Sequence, residues 1–368
     1  MRFRVNTQDL NAAITTVTKA LSSKTTLSIL EGIYIEAAEQ GVLLRCTDLS
    51  LQIESIIAAE VEEEGAIVLP GRLFADITRR LPGESTEIHC DKNTTNIVSG
   101  RARSTVQGQN ATEFHIMPSI KREYTLSVSK SALKSMIRQT LFATAQDESK
   151  PILTGVYIEA SEDTLSMVAL DGYRLALRKE GISFSQAEQS AVVPAKSLQE
   201  IGRIVDENQE DVQLVFSRTH MLMDVGHTKI MTRLLDGEFI KYRQILPEGH
   251  TVRVRVNRSE MLDSIERVAL MAREGKSNLV KFAFADNALV ISANSELGKS
   301  DEQMDAQIIG PDLEIAFNSR YFIDVLRNLE DEQLYLDMNN NISPCVVRPV
   351  QGERFYYLVL PVRLFSGI

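Results

Sequence analysis

The residue types that most often carry catalysis or bind metals are few in this chain, and their spacing matches no catalytic arrangement. Cys46, Cys90 and Cys345 lie far apart without a CxxC pair, so we expect reduced cytosolic thiols in or near cores, not disulfides or zinc ligands. The histidines show no metal-ligand spacing; they are His89, His115, His220, His227 and His250. The chain also lacks GxxxxGK[ST], GxGxxG, GxSxG and HExxH motifs, which argues against an enzyme and against a bound cofactor.

Carboxylates are abundant but are not arranged for acid–base catalysis. The run "EVEEEG" at 60–65 is typical of a solvated turn. In "MVALDGYRLALR" at 167–178, the pair Asp171-Gly172 predicts a turn between two strands. Neither segment indicates a nucleophile.

The elements that carry these residues form an internal repeat. The stretch "ILEGIYIEA" at 29–37 returns as "ILTGVYIEA" at 152–160, with seven of nine positions identical. A second signal occurs three times, as a strand-like opening followed by apolar residues at helical spacing. Its copies are "FRVNTQDLNAAI" (3–14), "LSVSKSALKSMI" (126–137) and "VRVNRSEMLDSI" (254–265). Asn6, Ser129 and Asn257 are the predicted helix N-caps.

The second half of each unit repeats as well, as a short apolar strand that leads into an amphipathic helix. Its copies are "AIVLPGRLFADITRRL" (66–81), "AVVPAKSLQEIGRIV" (191–205) and "EIAFNSRYFIDVLRNL" (314–329). Alternating runs between the helices predict antiparallel strands. The sequence therefore predicts an α+β fold of three similar domains, each with two helices packed on antiparallel sheets, at 1–122, 123–250 and 251–368. No low-complexity linker separates them, so we expect the domains to abut rigidly.

The net charge of −10 argues at first against a nucleic-acid partner. The helix segments reverse that impression, because they carry 16 lysines and arginines against 8 acidic residues. These segments are 7–24, 71–80, 130–145, 195–205, 258–276 and 318–329. If equivalent helices face one way, the molecule has a basic face that favours polyanions. Ordinary solvated helix faces are the alternative.

Domain size indicates what such a face could enclose. A domain of about 120 residues has a diameter of roughly 35 Å. Three such domains in a closed triangle leave a hole of about 5 Å, whereas six leave roughly 35 Å. Only the larger hole admits a duplex whose major groove alone is about 12 Å wide. Three domains per chain therefore suggest two chains that close head to tail.

Three segments resemble a known family, the beta subunits of bacterial DNA polymerase III, which are sliding clamps. "LDGYRLA" (170–176), "EFIKYRQILP" (238–247) and "LVLPVRL" (358–364) are similar to the family's TDGHRLA, FPDYRRVLP and LPVR-type endings, and the resemblance covers essentially all 368 residues. It implies a cytoplasmic, non-catalytic homodimer that forms a closed ring around double-stranded DNA, with helices lining the hole. Its implied partners are the replicative polymerase catalytic subunit, an ATP-driven clamp loader, and other replication and repair proteins that carry clamp-binding peptides.

The resemblance also implies roles for individual residues. The implied sequence-independent DNA contacts are Lys24, Arg72, Gln146, Lys150, Lys196 and Arg320. Val106 on one chain, with Leu270 and Met271 on the other, is the implied apolar centre of the dimer joint. Leu270 and Met271 also fit a second interpretation, as core residues of their own domain at helical spacing.

A pocket for partner peptides is implied between the second and third domains. Its walls are Leu153, Leu170, Gly172, Tyr173, Arg174, Leu175, Ile240, Ile245, Ser343, Pro344, Leu358, Leu360, Pro361, Val362, Arg363 and Leu364. The chain departs from the family pattern at Leu170 (threonine), Tyr173 (histidine) and Ile240 (proline), and it extends four residues further as "FSGI". Tyr173 or Phe365 could therefore partly fill the pocket. The alternative function is a repeated peptide-binding scaffold that does not encircle DNA.

Overall fold

The computed structural model of the chain describes residues 1–22, 25–147, 149–183, 188–206, 208, 210–274 and 278–363. The chain divides into two compact units, residues 1–131 with 199–234 and residues 132–198 with 235–368. No helix in the described part of the chain is long and apolar enough to span a membrane.

Each predicted helix is present and directly follows a strand. The six helices are α1 (Thr7–Val17), α2 (Gly71–Thr78), α3 (Lys130–Leu141), α4 (Ala195–Ile204), α5 (Arg258–Glu274) and α6 (Ser319–Asn328). Two of the predicted caps are confirmed by their hydrogen bonds. The Asn6 side chain accepts from the backbone nitrogens of Gln8 (2.8 Å) and Asp9 (3.2 Å), and Asn257 accepts from that of Glu260 at 3.1 Å. Each bond satisfies a helix-start N–H that has no partner within the helix.

The strands are antiparallel and fall into four sheets. In chain order they are β1 (Arg2–Asn6), β2 (Gly32–Ala38), β3 (Gly41–Thr47), β4 (Leu51–Ile57), β5 (Ala59–Glu63), β6 (Gly65–Pro70), β7 (Ser85–Asp91), β8 (Thr94–Ser99), β9 (Ala102–Gln107), β10 (Tyr124–Ser129), β11 (Gly155–Ser161), β12 (Thr164–Leu170), β13 (Arg174–Gly181), β14 (Gln189–Pro194), β15 (Asp211–Phe216), β16 (His220–Val225), β17 (Thr228–Arg233), β18 (Val252–Asn257), β19 (Leu279–Ala285), β20 (Ala288–Ser295), β21 (Gly298–Asp305), β22 (Gln307–Ile309), β23 (Leu313–Asn318), β24 (Gln333–Met338), β25 (Cys345–Pro349) and β26 (Phe355–Val359).

The first unit holds a five-stranded sheet, β5-β1-β7-β8-β9, and an eight-stranded sheet, β10-β15-β16-β17-β4-β3-β2-β6. In the larger sheet, β4 of the first repeat pairs with β17 of the second, with Leu51 opposite Thr232 and Ser55 opposite Thr228. Helix α1 packs on β3, β4 and α2. The backbone hydrogen bonds of one sheet thus join residues from two repeats.

The second unit repeats this arrangement with a nine-stranded sheet, β14-β11-β12-β13-β26-β25-β24-β18-β22, and a four-stranded sheet, β21-β20-β19-β23. Here β13 of the second repeat pairs with β26 of the third, with Arg174 opposite Val359. Helix α5 packs on β19, β20, β21 and α6. This second joint between repeats is where the candidate pocket lies.

The duplicated stretch keeps its glycine because the neighbouring strand lies too close for a side chain. A Cβ on Gly32 would lie 2.2 Å from Val68 Cγ1, and one on Gly155 would lie 2.7 Å from Val192 Cγ1. Both glycines start a strand, β2 or β11, at the position that pairs with a proline, Pro70 or Pro194. The repeat therefore preserves a packing requirement as well as a hydrophobic pattern.

The three cysteines lie in cores, as expected. Cys46, Cys90 and Cys345 are free and buried. Burial raises the pKa of the Cys46 and Cys345 thiols, because the low-dielectric interior disfavours a thiolate.

Candidate functional site

The motif "LDGYRLA" forms the turn between β12 and β13, as its Asp-Gly pair predicts. Asp171 Oδ1 accepts hydrogen bonds from the backbone nitrogens of Tyr173 (2.9 Å) and Arg174 (3.0 Å). Gly172 has φ +92°, a left-handed conformation that glycine adopts without strain. The turn presents Tyr173 to solvent with 61 % of its surface exposed.

Arg174 is held from several sides by groups of its own unit. Its Nε donates to Asp171 Oδ2 at 3.0 Å, its Nη1 to Asp324 Oδ2 at 2.5 Å and its Nη2 to the Phe142 carbonyl at 2.6 Å. The guanidinium lies 5.4 Å from the Phe142 ring centroid and 4.8 Å from that of Tyr321. With its donors engaged, Arg174 fixes the β12–β13 turn to α6 and to the segment after α3.

Tyr173 extends this stack of rings, since its ring lies 6.1 Å from Tyr321 at an interplanar angle of 21°. The substitution of tyrosine for the family's histidine thus places an aromatic ring on α6. Its exposed fraction leaves most of that ring open to a ligand. Phe365, the other residue expected to fill the pocket, lies outside the described residues.

Four of the predicted pocket residues form a buried apolar floor. Leu153, Leu170, Leu175 and Leu358 belong to one cluster and are 2–5 % exposed. The cluster is completed by β12, β13 and β14 side chains and by two aromatic residues that follow β17 in the chain, Phe239 and Tyr242. These four leucines therefore pack in the core of the second unit.

The exposed members of the predicted set lie in the β12–β13 turn, in the segment 235–246 and after β26. Tyr173, Ile240, Ile245, Leu360 and Val362 are 36–61 % exposed. The backbone nitrogen of Leu360 donates to the Tyr173 carbonyl at 2.9 Å, and that of Val362 donates to the Ala316 carbonyl at 2.8 Å. Residues 360–362 are therefore tied to the β12–β13 turn and to β23. Exposed apolar side chains on a fixed backbone are suited to anchoring a peptide.

The remaining predicted wall residues are more peripheral. Gly172 and Arg363 are exposed, and Ser343, Pro344 and Pro361 are half-buried. Because Cys345 pairs with Val359, the antiparallel register places Pro344 beside Leu360. Leu364 lies outside the described residues.

Sequence reasoning missed one contact that supports the site. The side chain of Glu159 holds the segment 235–246 on the sheet. Glu159 is 2 % exposed and accepts from Tyr242 Oη at 2.9 Å and from Arg243 at 3.1 and 2.5 Å. Burial alone raises the pKa of Glu159, but the Arg243 and Tyr242 hydrogen bonds outweigh it and lower that pKa overall. The Phe239 ring stacks on Tyr157 at 4.9 Å. Two sequence signals were available for this contact. They are the pair "YR" in the motif at 238–247 and the glutamate Glu159 in an otherwise mostly apolar strand.

The candidate DNA contacts share a local setting. Arg72, Lys196 and Arg320 are each the second residue of a helix, α2, α4 or α6, and each is exposed. A cation at a helix start adds to the positive end of the helix dipole, an arrangement that attracts an anion such as phosphate. Among the described residues, Arg72 and Arg320 have no ion pair.

A second basic residue follows each of these three after seven positions, within α4, within α6 and directly after α2, and it pairs with an acidic side chain. Arg79 contacts Asp76, Arg203 contacts Glu200 and Arg327 contacts Glu266, at 2.7–3.4 Å. Arg138 of α3 pairs with Glu330. Only part of the positive helix charge is therefore available to an external polyanion.

The other predicted DNA contacts lie in loops. Gln146 and Lys150 are exposed between α3 and a short 3₁₀ turn at Pro151–Thr154. Lys24 lies outside the described residues.

At the predicted dimer joint, Leu270 is 61 % exposed on α5, so the interpretation of Leu270 as an intradomain core residue is wrong. Met271 is half-buried and its sulfur accepts from Ser295 Oγ at 3.0 Å. Val106 is 3 % exposed within its own chain, and it lies on β9, the last strand of the five-stranded sheet. The unpaired side of β9 is thus available through its backbone rather than through the Val106 side chain.

Comparison with known proteins gives matches along the whole described chain. Family models of the DNA polymerase III beta subunit match along the chain: the N-terminal domain at 1–118, the central domain at 127–241 and the C-terminal domain at 243–363. The beta sliding clamp of Bacillus subtilis (strain 168) is 35 % identical over 99 % of this chain and 100 % of its own. The beta sliding clamp of Staphylococcus aureus is 31 % identical with the same coverage.

Solved structures agree. The Bacillus subtilis DNA polymerase sliding clamp superposes with a TM-score of 0.96 over 99 % of this chain and 100 % of that one, at 35 % identity. A Pseudomonas aeruginosa sliding clamp bound to griselimycin gives a TM-score of 0.94 at 26 % identity, with the same coverage.

Fold, repeat and relatives define a three-repeat clamp. The chain belongs to the family of bacterial DNA polymerase III beta subunits. Its function is that of a DNA sliding clamp in processive replication.

Proposed function

We propose that two copies of the chain close head to tail into a ring around duplex DNA and hold partner proteins through the pocket at the β13–β26 joint. The observation that carries the DNA role is the repetition of Arg72, Lys196 and Arg320 at the second position of equivalent helices. Retention on DNA then depends on ring closure, and weak phosphate contacts that ignore base sequence let the ring slide.

The proposed joint uses the exposed Leu270 and the neighbouring Met271 of one chain against the outer edge of β9 in the other. The exposed Leu270 side chain on α5 favours an apolar contact, and the free edge of β9 offers backbone hydrogen-bonding groups. Such a contact is heterologous yet closes after two subunits.

Ring closure is tested by loading the protein onto circular plasmid DNA and then cutting the plasmid once. We expect the protein to remain on the circle during gel filtration and to leave once the DNA is linear. Leu270→Glu is the control, because a buried unpaired charge would open the joint, and it is expected to sediment as a folded monomer that is never retained. Equal retention on circular and linear DNA would favour a scaffold that does not encircle DNA.

The pocket is proposed to bind short peptides of the replicative polymerase, the clamp loader and other replication and repair proteins. Its support is the apolar floor under exposed anchoring residues, with the last described strand tied to the β12–β13 turn. A groove of this kind obtains most of its affinity from a few apolar anchors of the ligand.

Deletion of residues 360–368 removes Leu360 and Val362 from the rim. We expect peptide binding, measured by fluorescence anisotropy with a labelled polymerase peptide, to be abolished while sedimentation still shows the dimer. Deletion of 365–368 alone is the matched control and is expected to leave binding intact. Unchanged affinity after the longer deletion would refute this site.

A further inference from the structure

A second pocket lies entirely within the first unit, at the joint between the first and second repeats. It is a cavity of about 300 Å³, lined in part by Leu49, His115, Ile116, His220 and Arg233. Its volume falls at the lower end of the range for ligand sites, roughly 300–1,000 Å³. None of these residues belongs to the partner pocket.

One wall of this second pocket is a turn with the same hydrogen-bonding pattern as the Asp171 turn of the partner pocket. Asp48 Oδ1 accepts from the backbone nitrogens of Ser50 (3.0 Å) and Leu51 (2.8 Å), as Asp171 does from Tyr173 and Arg174. Leu49 has φ +72°, where Gly172 has φ +92°. A leucine in this strained conformation presents its side chain, 46 % exposed, where the partner pocket has only glycine.

The strand that follows is equivalent as well. The backbone nitrogen of Arg233 donates to the Ser50 carbonyl at 2.8 Å, as that of Leu360 does to Tyr173 at 2.9 Å. Arg233 pairs with His220 across β16 and β17, as Leu360 lies beside Pro344. Arg233 and His220 therefore replace Leu360 and Pro344.

The covering segment also corresponds. The Phe114 ring lies 5.2 Å from Tyr34, just as that of Phe239 lies 4.9 Å from Tyr157. The next residue, His115, thus stands for Ile240. Met117 then lies over the sheet, since its backbone nitrogen donates to Gln52 Oε1 at 2.9 Å.

We propose that this cavity, formed by the Asp48 turn, the β16–β17 end and the 115–118 segment, is a second peptide site that takes an apolar side chain beside an acidic residue. Leu49 and Ile116, 46 % and 53 % exposed, supply the apolar contact. Arg233 is exposed, and within the described residues its side chain has neither an ion pair nor a hydrogen bond. It is therefore available to a carboxylate.

Two differences from the partner pocket set this specificity. At the positions that correspond to Leu170 and Leu175, this joint has the buried polar residues Thr47 and Gln52. Burial and the nearby Arg233 lower the pKa of His220, so His220 is a neutral hydrogen-bonding group near neutral pH and leaves Arg233 as the charge. A short acidic–apolar peptide suits this site better than a purely apolar one.

The inference rests on the proposed peptide-binding role of the partner pocket, but its test reads a separate site. The full-length protein is labelled at its methionine methyl groups, and the Met117 signal is assigned with Met117→Leu. The probes are acetyl-Leu-Asp-amide and its uncharged counterpart, acetyl-Leu-Asn-amide. The titrations are repeated in the 360–368 deletion, which removes the partner-pocket rim and leaves this cavity unchanged.

We expect a saturable shift of the Met117 signal in both backgrounds, with the Asn probe up to about fivefold weaker, as for an exposed ion pair. Arg233→Gln is expected to abolish the difference between the probes, and Ile116→Ser to weaken both. A Met117 signal that does not respond, or equal affinity for both probes in the parent protein, would overturn the proposal.

Discussion

At the scale of single residues, Arg174 combines charge, hydrogen bonding and stacking more densely than the other pocket residues. Its guanidinium side chain is 12 % exposed and pairs with Asp171 and Asp324. Removing it takes one donor from each of two carboxylates and from the Phe142 carbonyl. We expect Arg174→Ala to lower the free energy of unfolding by about 2–3 kcal/mol, measured by urea denaturation, and to weaken peptide binding because the β12–β13 turn loosens.

Arg203→Ala is the matched control for that change. Arg203 also pairs with an acidic residue three positions away, Glu200, but its side chain is 58 % exposed. An exposed pair of this kind contributes less than about 1 kcal/mol. Equal losses of stability in the two variants would show that the geometry around Arg174 adds nothing.

At the scale of elements, the segment Leu235–Leu246 is held on its sheet by the buried carboxylate of Glu159. We expect Glu159→Gln to speed cleavage by trypsin after Lys241 and Arg243, because a neutral amide is a weaker acceptor than a carboxylate for Arg243 and Tyr242. The lowered pKa of Glu159 gives a pH dependence with a definite sign. The ionised Glu159 contributes fully to the free energy of unfolding when the pH is above the ordinary glutamate pKa of 4.5. This contribution is lost as the pH falls through the lowered pKa of the folded state.

The repeat supplies the control for this element. Glu36 occupies the equivalent position in β2. Within the described part of the chain, its carboxylate accepts one side-chain hydrogen bond, from Tyr34 at 3.2 Å. Met117 and Pro118 stand where the second segment has Tyr242 and Arg243. Glu36→Gln is therefore expected to leave proteolysis of residues 235–246 unchanged, and the same acceleration in both variants would contradict a specific role for Glu159.

Elements were more predictable than the pairing between them. The caps at Asn6 and Asn257 and the strand–helix order follow from local patterns, because they depend on neighbours in the chain. The β4–β17 and β13–β26 pairs could not be predicted from local patterns. An alternating pattern shows which face of a strand is buried but not which strand pairs with it. Aliphatic residues such as Leu153 and Ile240 were assigned to one site through the family resemblance. The sequence did not show that Leu153 is buried and Ile240 exposed.

At the scale of the whole molecule, each of α2, α4 and α6 has a basic residue at its second position, and another follows seven positions later. Arg72, Lys196 and Arg320 lie at the helix starts, whereas Arg79, Arg203 and Arg327 are engaged with acidic side chains. Only charges that face the phosphates release counterions on binding. The two triplets therefore have equal formal charge but are predicted to act differently on DNA.

This difference gives the last prediction, for two triple variants measured with a short duplex across a salt titration. Changing Arg72, Lys196 and Arg320 to Gln is expected to weaken binding and to reduce the slope of log K against log salt by up to about 5, since six helices in a ring of two chains each lose a contact worth about 0.9. Changing Arg79, Arg203 and Arg327 to Gln alters the net charge equally, so it controls for long-range attraction and is expected to change the slope much less. If the two slopes fell together, the overall field of the protein, not its helix starts, would govern the grip on DNA.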